Sequence, residues 1–197
     1  MLQKAKSEVE YWWRFIKRVV GVLMVWGLVF SLVTIAKLGV AFDYDETLVS
    51  SAAAYAKASV SAPQAVSPRF WSVVNQSYDL ERSKVLPVGL AYLFRFLGFR
   101  VSVLVQRPDT DGDALRKEWR RLVPKARFVF TGEGGGRGRH LEDGNFVLFF
   151  GDSDSDISEA RKAKVYPVRV KRASQSPVKD DYHPGTMAEL VLPLSQY

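Results

Sequence analysis

FDYDETLVSS, residues 42–51, sets the acidic side chains Asp43, Asp45 and Glu46 directly after the apolar run Gly39, Val40, Ala41 and Phe42. Like charges this close repel and lose hydration when buried, so a chain groups them mostly where a cation or a reacting group compensates. A short apolar run ending in acid reads as a strand that delivers carboxylates to a site. The residues on either side decide what kind of sheet holds that strand.

Downstream, strand and helix patterns alternate. LPVGLAYLFRFLGF (86–99) has helical spacing with Gly98 as its stop, RVSVLVQ (100–106) is β-branched and strand-like, and DALRKEWRRLV (113–123) is helical. ARFVFTG and NFVLFFGDSD read as strands, DISEARKA as a helix and VYPVRVKR as a further strand. This alternation predicts an α/β fold, a Rossmann-like parallel sheet with helices on both faces. Residues 50–68, rich in Ala, Ser and Pro, are expected to form a loop or small cap, and GEGGGRGRH (132–140) a flexible loop. In such sheets ligands bind beyond the carboxyl ends of the strands. Asp43 ends one strand and Asp152 another, so these two distant carboxylates are expected to converge. An oxygen-only cluster suits Mg²⁺, which takes one or two carboxylates together with a substrate phosphate.

At the amino end, VVGVLMVWGLVFSLVTIA (19–36) carries no charge. As a helix its 18 residues, at about 1.5 Å each, would span roughly 27 Å. Trp12 and Trp13 sit at the interface position, and Arg14, Lys17 and Arg18 precede the run while Lys37 follows it. That bias predicts a single-pass inner-membrane protein with residues 1–18 cytoplasmic, 19–36 transmembrane and a periplasmic domain over 37–197. A cleaved signal peptide and a buried core helix compete with this reading. The apolar run is longer than a usual signal core, and it is apolar on every face.

The 197 residues carry a formal charge of +7, 47% hydrophobic content and no cysteine. They suit one globular domain, and the missing thiols exclude disulfides, a cysteine nucleophile and sulfur-based zinc sites. The basic residues are spread without a dense aromatic-interleaved run, so nucleic acid is not an expected partner. His140 and His183 lack metal-ligand spacing and read as ordinary surface or capping groups. Phe70 and Trp71 read equally as pocket wall or core.

FDYDET together with GDSDSDI resembles the first and fourth motifs of the haloacid-dehalogenase superfamily. FW at 70–71, FFGDSDSDISEAR at 149–161 and KRASQS at 171–176 are similar to bacterial class B acid phosphatases, over about residues 39–197. The resemblance implies phosphomonoester hydrolysis through an aspartyl-phosphate. Asp43 would be the nucleophile, Asp45 the general acid and base, and Mg²⁺ would sit on Asp43, the Asp45 main-chain carbonyl and Asp152. Asp154 and Asp156 would orient metal-bound water or neighbouring ligands. The Thr-Gly-Arg of the family's second motif is replaced by residues within VLVQRP, with Val105 where a restored threonine would be tried. The third motif's lysine is absent between Lys125 and Lys162. Arg107, Arg137 and Arg139 are then the expected phosphate-binding cations. Three classes follow: a membrane-anchored phosphomonoesterase, an inactive phosphatase-fold subunit of an envelope assembly such as a secretion or conjugation apparatus, and a binder of lipid or anionic polymer.

Overall fold

The computed structural model describes residues 2–62, 64, 66–132, 136–176 and 181–197, with the side chains of residues 2–9 outside that description. The helices are α1 (Leu2–Ile35), α2 (Ala52–Ser61), α3 (Pro68–Gln76), α4 (Val85–Phe96), α5 (Asp113–Glu118), α6 (Gly136–Asp143) and α7 (Asp154–Lys162). The strands are β1 (Gly39–Asp43), β2 (Val49–Ser50), β3 (Arg82–Ser83), β4 (Arg100–Val105), β5 (Phe128–Phe130), β6 (Phe146–Gly151), β7 (Tyr166–Arg169) and β8 (Leu190–Val191). Among the described residues a six-stranded parallel sheet runs in the order β5-β4-β1-β6-β7-β8.

All five residues of β1 are buried, as a central parallel strand with both faces covered requires. Val40 and Phe42 face one core with Val101, Val103, Ala91 of α4 and Leu115 of α5. Ala41 faces the other, with Leu104, Leu141 of α6 and Ala160 of α7. The strand's period of two therefore divides the helices between the faces. Phe42 is fully buried and stacks on Phe150 with ring centroids 4.5 Å apart. Phe42→Ala is expected to cost about 3–5 kcal/mol, the range for deleting a core aromatic. Urea unfolding followed by tryptophan fluorescence checks this.

One expectation about loops is corrected. Residues 50–68, expected as a loop or small cap, contain α2, which packs with α3 through Ala58, Phe70, Trp71 and Val74 into a small cap beside the sheet. Phe70 and Trp71 thus belong to the interior of that cap. Of the glycine-rich stretch 132–140, residues 133–135 lie outside the description, Gly132 is irregular, and residues 136–140 open α6 instead of a flexible loop. Each glycine weakens a helix by about 1 kcal/mol relative to alanine. Here Arg137 and Leu141, one turn apart on the same face, are both buried and hold α6 against the sheet. The antiparallel pair β2–β3 and the two-residue β8 have too little periodicity to be read from sequence.

The expected transmembrane run lies in α1, which continues without a break through the residues placed on the cytoplasmic side. Glu10–Ile35 is long and apolar enough to cross a membrane or to act as a signal sequence. Its Val22, Leu23, Met24 and Val25 are exposed, unlike the side chains of a core helix. At its end the Asn145 side chain donates to the Ala36 carbonyl at 2.7 Å, and the Gly39 amide donates to the Asn145 carbonyl at 2.7 Å. Gly98, at φ 90°, leaves room for Phe30 and Thr34. Asn145 directly precedes β6 and Gly98 lies two residues before β4, so α1 abuts the amino ends of the strands.

Candidate active site

The site forms at the opposite, carboxyl ends of β1 and β6. Asp43 closes β1 in register with Leu104, and Asp152 follows the last residue of β6. Ser153 caps α7, its hydroxyl accepting from the Asp156 amide at 3.0 Å while Asp156 accepts from the Ser153 amide at 2.9 Å. This reciprocal capping box fixes the first turn of α7 and turns Asp156 toward the strand end, where it also accepts from the Asp152 amide at 3.0 Å. Gly151 is required for that approach, since a Cβ there would lie 2.5 Å from the Asp156 Cβ. Oxygens of Asp43, Asp152 and Asp156 all lie within 4.8 Å of one another, and all three residues are buried.

Burial pushes the Asp43 carboxyl well above the usual carboxylate range, reinforced by repulsion from Asp156, Asp152 and Asp45 and opposed by Arg137. Burial, then Asp156, likewise pushes Asp152 up to about 7, against the pull of Arg172. A hard cation among these oxygens would relieve both effects, and an all-oxygen donor set is what Mg²⁺ prefers. The three carboxylates therefore fit a metal.

Arg137 reaches the cluster from α6. Its guanidinium pairs with Asp156, lies 3.6 Å from Asp43, donates from Nε to Glu159 at 2.8 Å and from Nη1 to the Gln106 side-chain oxygen at 3.3 Å. Arg139, two positions on, points off that face and is exposed. Arg107 goes elsewhere. It is fully buried, forks onto both oxygens of Asp45, donates to Glu81 at 2.7 Å and lies over the Tyr44 and Tyr55 rings. Among the expected phosphate-binding arginines, then, Arg137 stands at Asp43, Arg107 at Asp45 and Arg139 in solvent. Asp154 turns away from the cluster to His183, 2.7 Å from Nδ1, and to Arg169 at 2.7 Å. His183 therefore has a specific partner, whereas His140 sits beside Phe146.

The sequence did not single out Lys84, Gln106 or the ion pair of Arg172 with Asp152. Thr47 also donates to Asp152, at 3.1 Å. Lys84 is buried, and its ammonium donates to the main-chain carbonyls of Glu46 and, at 2.8 Å, Lys171. Gln106 could have been found from the pleat. Asp43 pairs with Leu104, so residue 106 follows on the face of Leu104 while Val105 turns to the core with Val103 and Leu115. A threonine at 105 would bury its hydroxyl among apolar walls. Val105→Thr is accordingly expected to lower stability by about 1–3 kcal/mol without raising turnover, to be checked by denaturant melts beside an activity assay.

No family model matches the chain. It is 29% identical over 182 residues to a class B acid phosphatase of Enterobacter sp. (strain 638), a match covering 85% of this chain and 76% of that one. It is 26% identical over 181 residues to a class B acid phosphatase of Klebsiella pneumoniae (strain 342), with the same coverage of 85% and 76%. Among solved structures, a Thermotoga maritima protein assigned as a β-phosphoglucomutase superposes with TM-score 0.52 at 14% identity, over 80% of this chain and 94% of that one. A Haemophilus somnus 129pt protein assigned as a phosphoglycolate phosphatase gives TM-score 0.52 at 13% identity, over 80% and 94%. The two solved structures show the shared fold, while the class B relatives and the buried acidic triad support a phosphatase-type function. With the parallel sheet and both acidic motifs in place, the chain has a haloacid-dehalogenase-like fold and resembles the class B acid phosphatases in sequence.

Proposed function

We propose that the protein hydrolyses phosphomonoesters at Asp43, from a domain held on the outer side of the inner membrane by α1. The observation that carries this reading is the convergence of Asp43, Asp152 and Asp156 with Arg137 at the carboxyl ends of the sheet. Asp43 attacks phosphorus, and the bond from phosphorus to the leaving oxygen breaks as Asp45 gives that oxygen its proton. Asp45 then takes a proton from water, which attacks the aspartyl-phosphate and frees phosphate and the Asp43 carboxylate. For the first proton transfer Asp45 must rotate out of the Arg107 fork. Arg137 offsets the charge of the phosphate beside Asp43, in place of the lysine of the family's third motif.

Mg²⁺ would be held by Asp43, the Asp45 main-chain carbonyl and Asp152, with Asp156 alongside, and would neutralise charge on the phosphoryl oxygens. Calorimetric titration is expected to show one Mg²⁺ per chain and at least about tenfold weaker binding by Asp152→Asn, given that even outer-shell changes cost about 10–100-fold. Equal binding by both proteins would reject the metal assignment.

The placement of α1 against the amino ends of the strands supports a topology in which the acidic ends face away from the bilayer. Head groups of the same membrane would then be poor substrates. A periplasm-dependent reporter fused after Tyr197 is expected to be active, with the chain retained in washed membranes. Activity of a cytoplasm-only reporter, or release by washing, would reject the topology.

One observation favours a second reading, a binding subunit of an envelope assembly without turnover. Arg137 and Arg172 already pair with the acidic cluster, and Gln106 stands where the family carries a phosphate-holding hydroxyl. Hydrolysis of an aryl phosphate above an Asp43→Asn control decides between the two.

A further inference from the structure

Beside the acidic cluster lies a cavity of about 590 Å³, walled by the loop after β7, the antiparallel pair β2–β3 and the last residues of the chain. Its lining includes Arg82, Lys84, Lys171 and Arg172, and no Asp or Glu stands among the described residues that line it. Cations crowded into one concavity repel one another as the carboxylates next door do, so their grouping calls for an anion.

Two of the four are built into the fold. Lys84 is 2% exposed and is fixed by the carbonyls of Glu46 and Lys171, which ties the turn after β1 to the loop after β7. Burial lowers its pKa to about 8, opposed by the nearby carboxylates of Glu46 and Asp152. Arg172 has a largely buried side chain that pairs with Asp152 and lies over the Tyr182 ring at 4.8 Å. Through Arg172 the cavity wall and the acidic cluster share a side chain, so a group in the cavity and a phosphate at Asp43 would be neighbours. Arg82 is exposed at the rim, and Lys171 makes its fixed contacts through its main chain, accepting from Lys84 and donating its amide to Ser195 at 2.8 Å. Both side chains are thus available to something in the cavity without being needed to build it.

We propose that this cavity binds a second phosphate on the leaving group, so that the preferred substrates are phosphomonoesters carrying another phosphate a short distance from the one removed. The inference rests on the phosphatase reading for the identity of the reacting group. The cavity itself stands on its own residues. Arginine at the rim supplies paired N–H donors suited to phosphate oxygens, and the buried lysine adds a fixed positive charge beneath them.

The test uses the full-length Asp43→Asn chain in detergent with Mg²⁺, which binds without turnover. Calorimetry compares adenosine 5′-monophosphate with adenosine 3′,5′-bisphosphate, two probes that differ by one phosphate. The bisphosphate is expected to bind at least about tenfold more tightly, and the preference to fall below about twofold when Arg82→Gln and Lys171→Gln are added, with monophosphate affinity unchanged. Equal affinities in the parent, a preference that survives the added changes, or failure of both probes to bind would each overturn the proposal. Failure of the phosphatase reading is seen separately, as absent aryl phosphate turnover by the wild type alongside a preserved bisphosphate preference.

Discussion

Asp43→Asn should reduce hydrolysis of an aryl phosphate by at least about a thousandfold, because it removes the atom that attacks phosphorus while keeping the side chain's shape. The same change should leave the metal-free fold as stable as the wild type or more so. Asp43 is a buried carboxyl pushed well above its usual range by burial and by Asp156, Asp152 and Asp45, and a neutral amide removes that repulsion. Loss of function with stability kept is the pattern expected where charge is concentrated for chemistry instead of folding. Stopped assays with Mg²⁺ and thermal melts without it, on matched preparations, test both halves.

The second large effect concerns structure. Arg107→Ala should destabilise the protein by about 3–5 kcal/mol, the cost of removing one partner from a buried ion-pair network. Arg107 is fully buried and is shared between Asp45 and Glu81. Glu81 is already raised by burial and held down chiefly by Arg107, and its other partner is the Tyr44 hydroxyl. Without the guanidinium, two carboxylates face each other beneath the Tyr44 and Tyr55 rings. Arg107→Met fills much of the space but not the charge. It should recover only part of the loss, which urea unfolding of both variants would show.

The sheet and the acidic pair were legible because each rests on short-range pattern. Apolar strands ending in Asp43 and Asp152 announce a parallel sheet and its carboxyl edge. What was not legible depends on tertiary contact. The glycines ahead of Arg137 read as a loop, and only burial of Arg137 and Leu141 against the sheet makes α6. Lys84 lies 41 residues from Asp43 in the numbering, between the two-residue β3 and the start of α4, where no periodic signal marks it. Arg107 and Arg137 were recognised as cations for the site, but sequence could not tell which acid each would meet. The choice between Val105 and Gln106 is a matter of pleat direction, fixed by the pairing of Asp43 with Leu104.

Hydrolysis at Asp43 is tested most directly by trapping the phosphorylated enzyme. The wild-type chain, mixed with a ³²P-labelled phosphomonoester and Mg²⁺ and quenched in acid within a turnover, should carry label on the peptide containing Asp43, and Asp43→Asn should carry none. Turnover without label on that peptide, or no turnover above the Asp43→Asn background across a panel of phosphomonoesters, would contradict it.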